Sequence, residues 1–133
     1  MTTTPKPRIL LTDDDEPLRS VLRRSLERSG YEVREAGTGD AALRLLANAP
    51  ADLIITDIVM PGMEGIEFIL SLRKTHPGLP VIAMSGGGRI EANRYLEMAR
   101  VCGVAKILPK PFDLEQLIAM VQELIAPLPP TKT

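Results

Sequence analysis

The order of apolar and amphipathic segments predicts an α/β protein: a doubly wound parallel sheet of five strands with helices on both faces. Three observations carry this. Five βα units follow one another along the 133 residues. Gly or Pro stands at many of the joints between them. Two of the runs, "LIIT" and "VIAM", are almost wholly apolar, as strands covered on both faces require.

The first strand is expected over 8–13. A helix over 16–29 follows, because Leu18, Val21, Leu22, Ser25 and Leu26 keep i, i+3, i+4 spacing, with Pro17 near the start and Gly30 just past the end. Strands over 31–35, 52–56, 80–84 and 104–108 then alternate with helices over 38–48, 64–75 and 90–101. The last helix, 113–126, opens on Asp113 and Gln116 at capping-box spacing, and Leu114, Leu117, Ile118, Val121 and Ile125 form its apolar stripe. Residues 1–7 and 127–133 read as frayed tails around one domain at 8–126, which is expected to stand alone, with no output module.

Composition narrows the function classes. With 44% hydrophobic and 25% charged residues, the chain fits one ordinary domain of about 100–150 residues. A net charge of −1 excludes the strongly basic character of a dedicated nucleic-acid binder, and two Tyr, two Phe and no Trp leave little for base stacking. Any role on DNA would need a partner. The single cysteine, Cys102, cannot form an internal disulfide and reads as a small core residue. There is no apolar run of membrane length and no charged-then-apolar leader, so a cytoplasmic protein without membrane attachment is expected.

The chemistry is expected at the strand ends, since open α/β sheets bind ligands beyond the carboxyl ends of their strands, where strand order reverses. In the order 2-1-3-4-5, that crevice lies between the first and third strands. The stretch "LLTDDDE" puts Asp13 and Asp14 at the end of the first strand, and Asp57 ends the third. Asp15 and Glu16 are explained by the helix that begins there, where acids cap and favour the dipole. Asp13 and Asp14 come too early for simple caps. Three converging carboxylates repel one another unless a cation intervenes, and oxygen ligands with no nearby histidine suit Mg²⁺. Ser85, followed by three glycines, ends the fourth strand, and Lys110 in "PKPF" ends the fifth. Singly these read as a turn residue and a surface lysine whose removal should spare the fold. Together, an acid cluster, an acceptor Asp, a hydroxyl and an ammonium suit a transient phosphoryl group.

"ILLTDDDEPLR", "DLIITDIVMPGMEGIEF", "PVIAMSG" and "ILPKPF" resemble the receiver domain of two-component response regulators, over about residues 8–125. The ordered set is far more specific than any one motif. The resemblance implies the flavodoxin-like order 2-1-3-4-5, shared with chemotaxis receivers, an example that also illustrates the general rule for such sheets. It implies Asp57 as phosphoacceptor and Asp13 and Asp14 as the acid pair around Mg²⁺, with the backbone carbonyl of Val59 as a further metal ligand. It likewise implies Ser85 as switch hydroxyl, Lys110 as the phosphoryl contact, and a cis Lys110–Pro111 peptide. The expected activity is that of a signalling switch rather than an enzyme, one that takes part in its own phosphotransfer and dephosphorylation. Its expected partners are a histidine kinase or phosphotransfer protein and an unidentified downstream protein.

Two departures qualify the resemblance. Many receivers carry an aromatic three residues before the lysine, where this chain has Ile107. Output is then expected to pass through Gly86–Gly88 instead of a turning ring. Val59 and Gly87, beside the site, cannot orient a hydrolytic water, so slow self-dephosphorylation is expected. Arg19, Arg23, Arg24 and Arg28 on the first helix read either as a solvated face or as a kinase-docking surface. Two other functions stay open. A receiver-like scaffold that works without phosphorylation would be favoured by loss of the acid pair, Asp57 or Lys110, none of which is lost. A flavodoxin-type cofactor binder or small phosphohydrolase would place hydroxyl and glycine donors after the first strand, where this chain has four acids.

Overall fold

The computed structural model describes residues 6–58, 65–85, 97 and 103–126. Val59, Met60, Pro61-Gly62, Met63, the Gly86–Gly88 loop and Cys102 lie outside the described residues, as do most of the tails and, apart from Glu97, the helix expected over 90–101.

Five strands, β1 (Arg8–Thr12), β2 (Glu32–Ala36), β3 (Leu53–Asp57), β4 (Val81–Ser85) and β5 (Lys106–Pro109), form one parallel sheet in the order β2-β1-β3-β4-β5. The described helices are α1 (Glu16–Arg28), α2 (Gly39–Asn48), α3 (Gly65–Thr75) and α4 (Leu114–Leu124). The expected fold class and strand order both hold. Strand boundaries move by one or two residues, and one shift matters. Asp57 is the last residue of β3 and not the first beyond it, because the Ile58 N–H still donates to the Met84 carbonyl at 3.0 Å and carries the ladder past it.

Two apolar layers sandwich the sheet. Ile9, Leu11, Ile55, Ile82, Met84 and Leu108 meet Leu22 and Leu26 of α1 and Leu117 and Val121 of α4. On the other face Leu10, Ile54, Val81 and Ala83 meet Ala42 and Leu46 of α2 and Phe68 and Leu72 of α3. The strict alternation along each strand is the pleat expressed in packing.

Local sequence sets where the helices start. The Asp15 carboxylate accepts from the Leu18 N–H at 3.1 Å, with Pro17 in the first turn, and Gly30 takes φ 103 just past the end. Thr38 Oγ1 accepts from the Ala41 N–H at 3.1 Å to start α2, and Gln116 Oε1 accepts from the Asp113 N–H at 3.0 Å to start α4.

The two expected apolar stripes need correction. Val21 is 49% exposed and Leu114 36% exposed. One residue step turns a helix by about 100°, which carries Val21 off the sheet-facing line of Leu22 and Leu26. Leu114 is the first residue of its helix. With Leu18 and Phe112 they line an open recess between α1 and α4 that reaches Lys110.

Candidate functional site

The parallel register brings the carboxyl ends of β1, β3, β4 and β5 to one edge, and the chemistry-bearing residues expected there converge. Asp13 follows directly on β1 and is fully buried, Asp57 closes β3 and is 7% exposed, and Asp14 is exposed to solvent. One carboxylate oxygen from each of the three lies within 4.8 Å of the others. Lys110, just after β5, donates from Nζ to Asp13 Oδ2 at 3.0 Å and to Asp57 Oδ2 at 3.2 Å. The Lys110–Pro111 peptide is cis, as the resemblance implied.

Lys110 is therefore no ordinary surface lysine. Burial opposes its charge, but the bonds and fields of Asp13 and Asp57 outweigh that and hold its pKa above the usual lysine value. It stays an ammonium across the physiological range. Asp13 also serves the turn, since its Oδ1 accepts from the Asp15 N–H at 2.9 Å. One carboxylate thus shapes the β1–α1 turn and contacts the lysine. The sequence argument that Asp13 is no simple cap holds in part, because it supports the cap residue Asp15 without being one.

The donor set fits a hard divalent cation: three carboxylates, oxygen atoms only, one of them exposed with room for water ligands. Val59, whose carbonyl was expected to join them, lies outside the described residues. Ser85 is placed by its backbone as the last residue of β4, in register with Pro109 of β5. Its switch role depends on a side chain outside the described part. Ile107 lies within β5, in register with Ala83, and is half-buried.

Two features of the site were not singled out from sequence, and a third was read in another role. Gly65, the first residue of α3, lies so close to the acceptor strand that a Cβ there would stand 2.2 Å from the Asp57 carbonyl oxygen and 2.5 Å from Ile58 Cα. Its N–H donates to the Ile58 carbonyl at 2.7 Å. Only glycine allows the start of α3 to close on the backbone of Asp57. Thr56 Oγ1 donates to the Asp57 carbonyl at 2.9 Å, a buried bond behind the same peptide. The third feature is Arg19. The helix arginines were expected to form a solvated or docking face, but Arg19 and Arg23 turn to β2 and share Glu35 through bonds of 3.0 Å each. Arg19 also donates to the Asp13 carbonyl at 2.7 Å. Arg24 and Arg28 remain exposed. Burial pushes the Glu35 carboxyl up, but the bonds from Arg23 and Arg19 prevail and hold it below the ordinary carboxylate range. The available signal was Glu35 itself, an acid in register with Leu11 beside the acidic turn.

Residues 9–122 match the family model described as the response regulator receiver domain. Among curated relatives, the chain is 39% identical over 120 residues to the DNA-binding transcriptional regulator NtrC of Bradyrhizobium sp. (strain RP501 Parasponia), covering 89% of this chain and 24% of that protein. It is 38% identical over 118 residues to the response regulator MprA of Mycobacterium sp. (strain KMS), covering 89% of this chain and 50% of that protein. The chain thus spans about a quarter to a half of the length of these relatives. Among solved structures, the chemotaxis protein CheY4 of Vibrio cholerae superposes with a TM-score of 0.80 at 29% identity, covering 90% of this chain and 98% of that one. The receiver domain of NtrX from Brucella abortus gives 0.78 at 30% identity, covering 87% and 96%. Among the described residues no helix is long and apolar enough to cross a membrane.

Proposed function

We propose, from the premise that the chain belongs to the response regulator receiver domain family, that it accepts a phosphoryl group from a histidine kinase or phosphotransfer protein onto Asp57 and thereby switches its binding to a downstream protein. The observation that carries this is the grouping of Asp57 with Asp13, Asp14 and a protonated Lys110 at one sheet edge. Loss of any of these would have favoured a scaffold that needs no phosphorylation.

In the proposed step an Asp57 carboxylate oxygen attacks phosphorus in line. The new Asp57 O–P bond forms as the P–N bond of the donor phosphohistidine breaks, and the electron pair stays on the imidazole nitrogen. Such a transfer needs positioning and charge compensation far more than acid–base chemistry. Gly65 and Thr56 hold the Asp57 backbone, and Lys110 places an ammonium where phosphoryl oxygens would lie. Asp13 and Asp14, with Asp57 and on resemblance the Val59 carbonyl, would hold Mg²⁺. The chemistry that Mg²⁺ supplies when bound is neutralisation of phosphoryl and carboxylate charge. Phosphorylation adds roughly −1.5 to −2 charge at the end of β3. Ser85 is assigned to answer that charge with its hydroxyl, drawing the Gly86–Gly88 loop with it. Self-dephosphorylation is assigned as slow, since Val59 and Gly87 offer no group to orient water.

Incubation with acetyl phosphate and Mg²⁺ should give an adduct of about 80 Da in intact mass, one phosphoryl group. Asp57→Asn should abolish it and EDTA should suppress it. An adduct that persists in Asp57→Asn would remove the acceptor assignment, and labelling indifferent to EDTA would remove the metal.

A further inference from the structure

The Arg19 side chain is only 16% exposed and is anchored on two different elements. Its Nε donates to Glu35 Oε1 at 3.0 Å, and its Nη1 donates to the Asp13 carbonyl at 2.7 Å while passing 3.4 Å from where a Cβ on Gly37 would stand. Glu35 is held in turn by Arg23 Nη1 at 3.0 Å. The Asp13 N–H donates to the Ala36 carbonyl at 3.1 Å. The backbone of Asp13 is thus gripped at its N–H by the chain of β2 and at its C=O by a guanidinium rooted on α1.

We infer that Arg19 is a positioning residue for the cation site: by fixing the Asp13–Asp14 peptide plane it holds both carboxylates toward Asp57. The carbonyl it binds belongs to the peptide that joins the two acids, and a peptide is planar, so fixing that plane fixes the direction in which both Cα atoms leave it. The need is greatest at Asp14. Its exposed carboxylate is repelled by Asp13 and Asp57, the two acids to which Lys110 donates instead, so a loose turn would let it swing to solvent. A planar guanidinium with donors in fixed directions suits a two-point clamp in a way a flexible ammonium does not.

Charge and position predict opposite signs, which makes the inference testable. By Coulomb's law alone, removing a cation near three carboxylates strengthens Mg²⁺ binding. If Arg19 acts by position, removing it weakens binding. The inference rests on the proposed metal role of Asp13, Asp14 and Asp57, so direct Mg²⁺ binding to the unphosphorylated protein is measured by isothermal titration calorimetry, beside metal-free thermal melting. Arg19→Gln should weaken binding by about tenfold, equivalent to ~1.4 kcal/mol. The paired change Arg19→Gln with Glu35→Gln removes the clamp at constant net charge and leaves no lone carboxylate, so it serves where the single variant does not fold. It should show the same loss. Unchanged or tighter Mg²⁺ binding in a folded variant overturns the positioning role while leaving the metal site intact. A wild type that takes up no Mg²⁺ overturns the metal reading and this inference together.

Discussion

The two ends of the sheet handle polar groups in opposite ways. At the amino-terminal end, polar groups close the fold: the exposed Asp52 accepts from the Arg8 N–H at 2.7 Å, and the buried Tyr31 hydroxyl donates to the Ile125 carbonyl at 2.8 Å. These bonds tie β1 to the residue before β3 and the chain just past α4 back to β2, and among the described residues no group of three acids gathers there. At the carboxyl-terminal end, two buried carboxylates share a single lysine, and an exposed third carboxylate stands beside them. That arrangement is poorly suited to stability, since like charges a few ångströms apart raise the energy of the folded state. The difference matches the proposed function: the lower end is arranged for folding, and the upper end gathers the charge that the proposed cation and phosphoryl group would meet.

The largest effect that would test this contrast is at Lys110. Sequence alone suggested that its removal would spare the fold, but the ammonium bonds a carboxylate with no solvent exposure. Lys110→Ala should destabilise the metal-free protein by about 1–3 kcal/mol, the range for losing a hydrogen bond to a charged buried group. Added Mg²⁺ should recover more stability in this variant than in wild type, because a divalent cation replaces the lost positive charge. Thermal melts with and without Mg²⁺ decide it. A variant as stable as wild type without metal would show that the upper end carries no such electrostatic load.

Tyr31→Phe applies the same treatment to the lower end. Deleting the hydroxyl leaves the Ile125 carbonyl without that partner and should cost about 1 kcal/mol. Here Mg²⁺ should restore no more than it does in wild type, and acetyl phosphate labelling should be unchanged when measured well below the melting temperature. If labelling falls with the same mutation, the two ends are coupled and the division between them fails.

How much of this was legible in the sequence follows the same division. The sheet, its order and the meeting of Asp13, Asp14, Asp57 and Lys110 were legible, because alternation of βα units sets the topology and topology brings strand ends together. What periodicity could not show was where long or missing side chains reach. A helical wheel places Arg19 and Arg23 away from the core, yet each is long enough to bend over the edge of α1 to Glu35. The i, i+3 step from Leu18 admits Val21 to the apolar stripe, but it stands at the stripe's edge, and no described element covers that part of the recess. Gly65 falls unmarked inside the helix expected over 64–75, and only the 2.2 Å approach to the Asp57 carbonyl oxygen shows why a side chain is excluded. Its constraint comes from a contact that no pattern within one segment encodes.

The smallest expected effect concerns the flank between the two ends, where Glu35 joins α1 to β2. Its folded pKa is held below the ordinary carboxylate value, with Arg23 and Arg19 prevailing over burial. For a depressed carboxylate the sign is fixed: the stabilisation is complete above the unfolded pKa, about 4.3 for Glu, and disappears as pH falls through the folded value. Glu35→Gln should therefore lower stability near pH 7 by some tenths of a kcal/mol, up to ~1, because Arg23 is well exposed and solvent screens its share of the pair. Toward pH 3 the gap between variant and wild type should close, as protonation of the wild-type carboxyl removes the same charge. Melting temperatures of both proteins across that range are the measurement. A gap that stayed constant into acid would mean that Glu35 acts through packing and neutral hydrogen bonds. The grip of Arg19 on the acidic turn would then owe nothing to charge on β2.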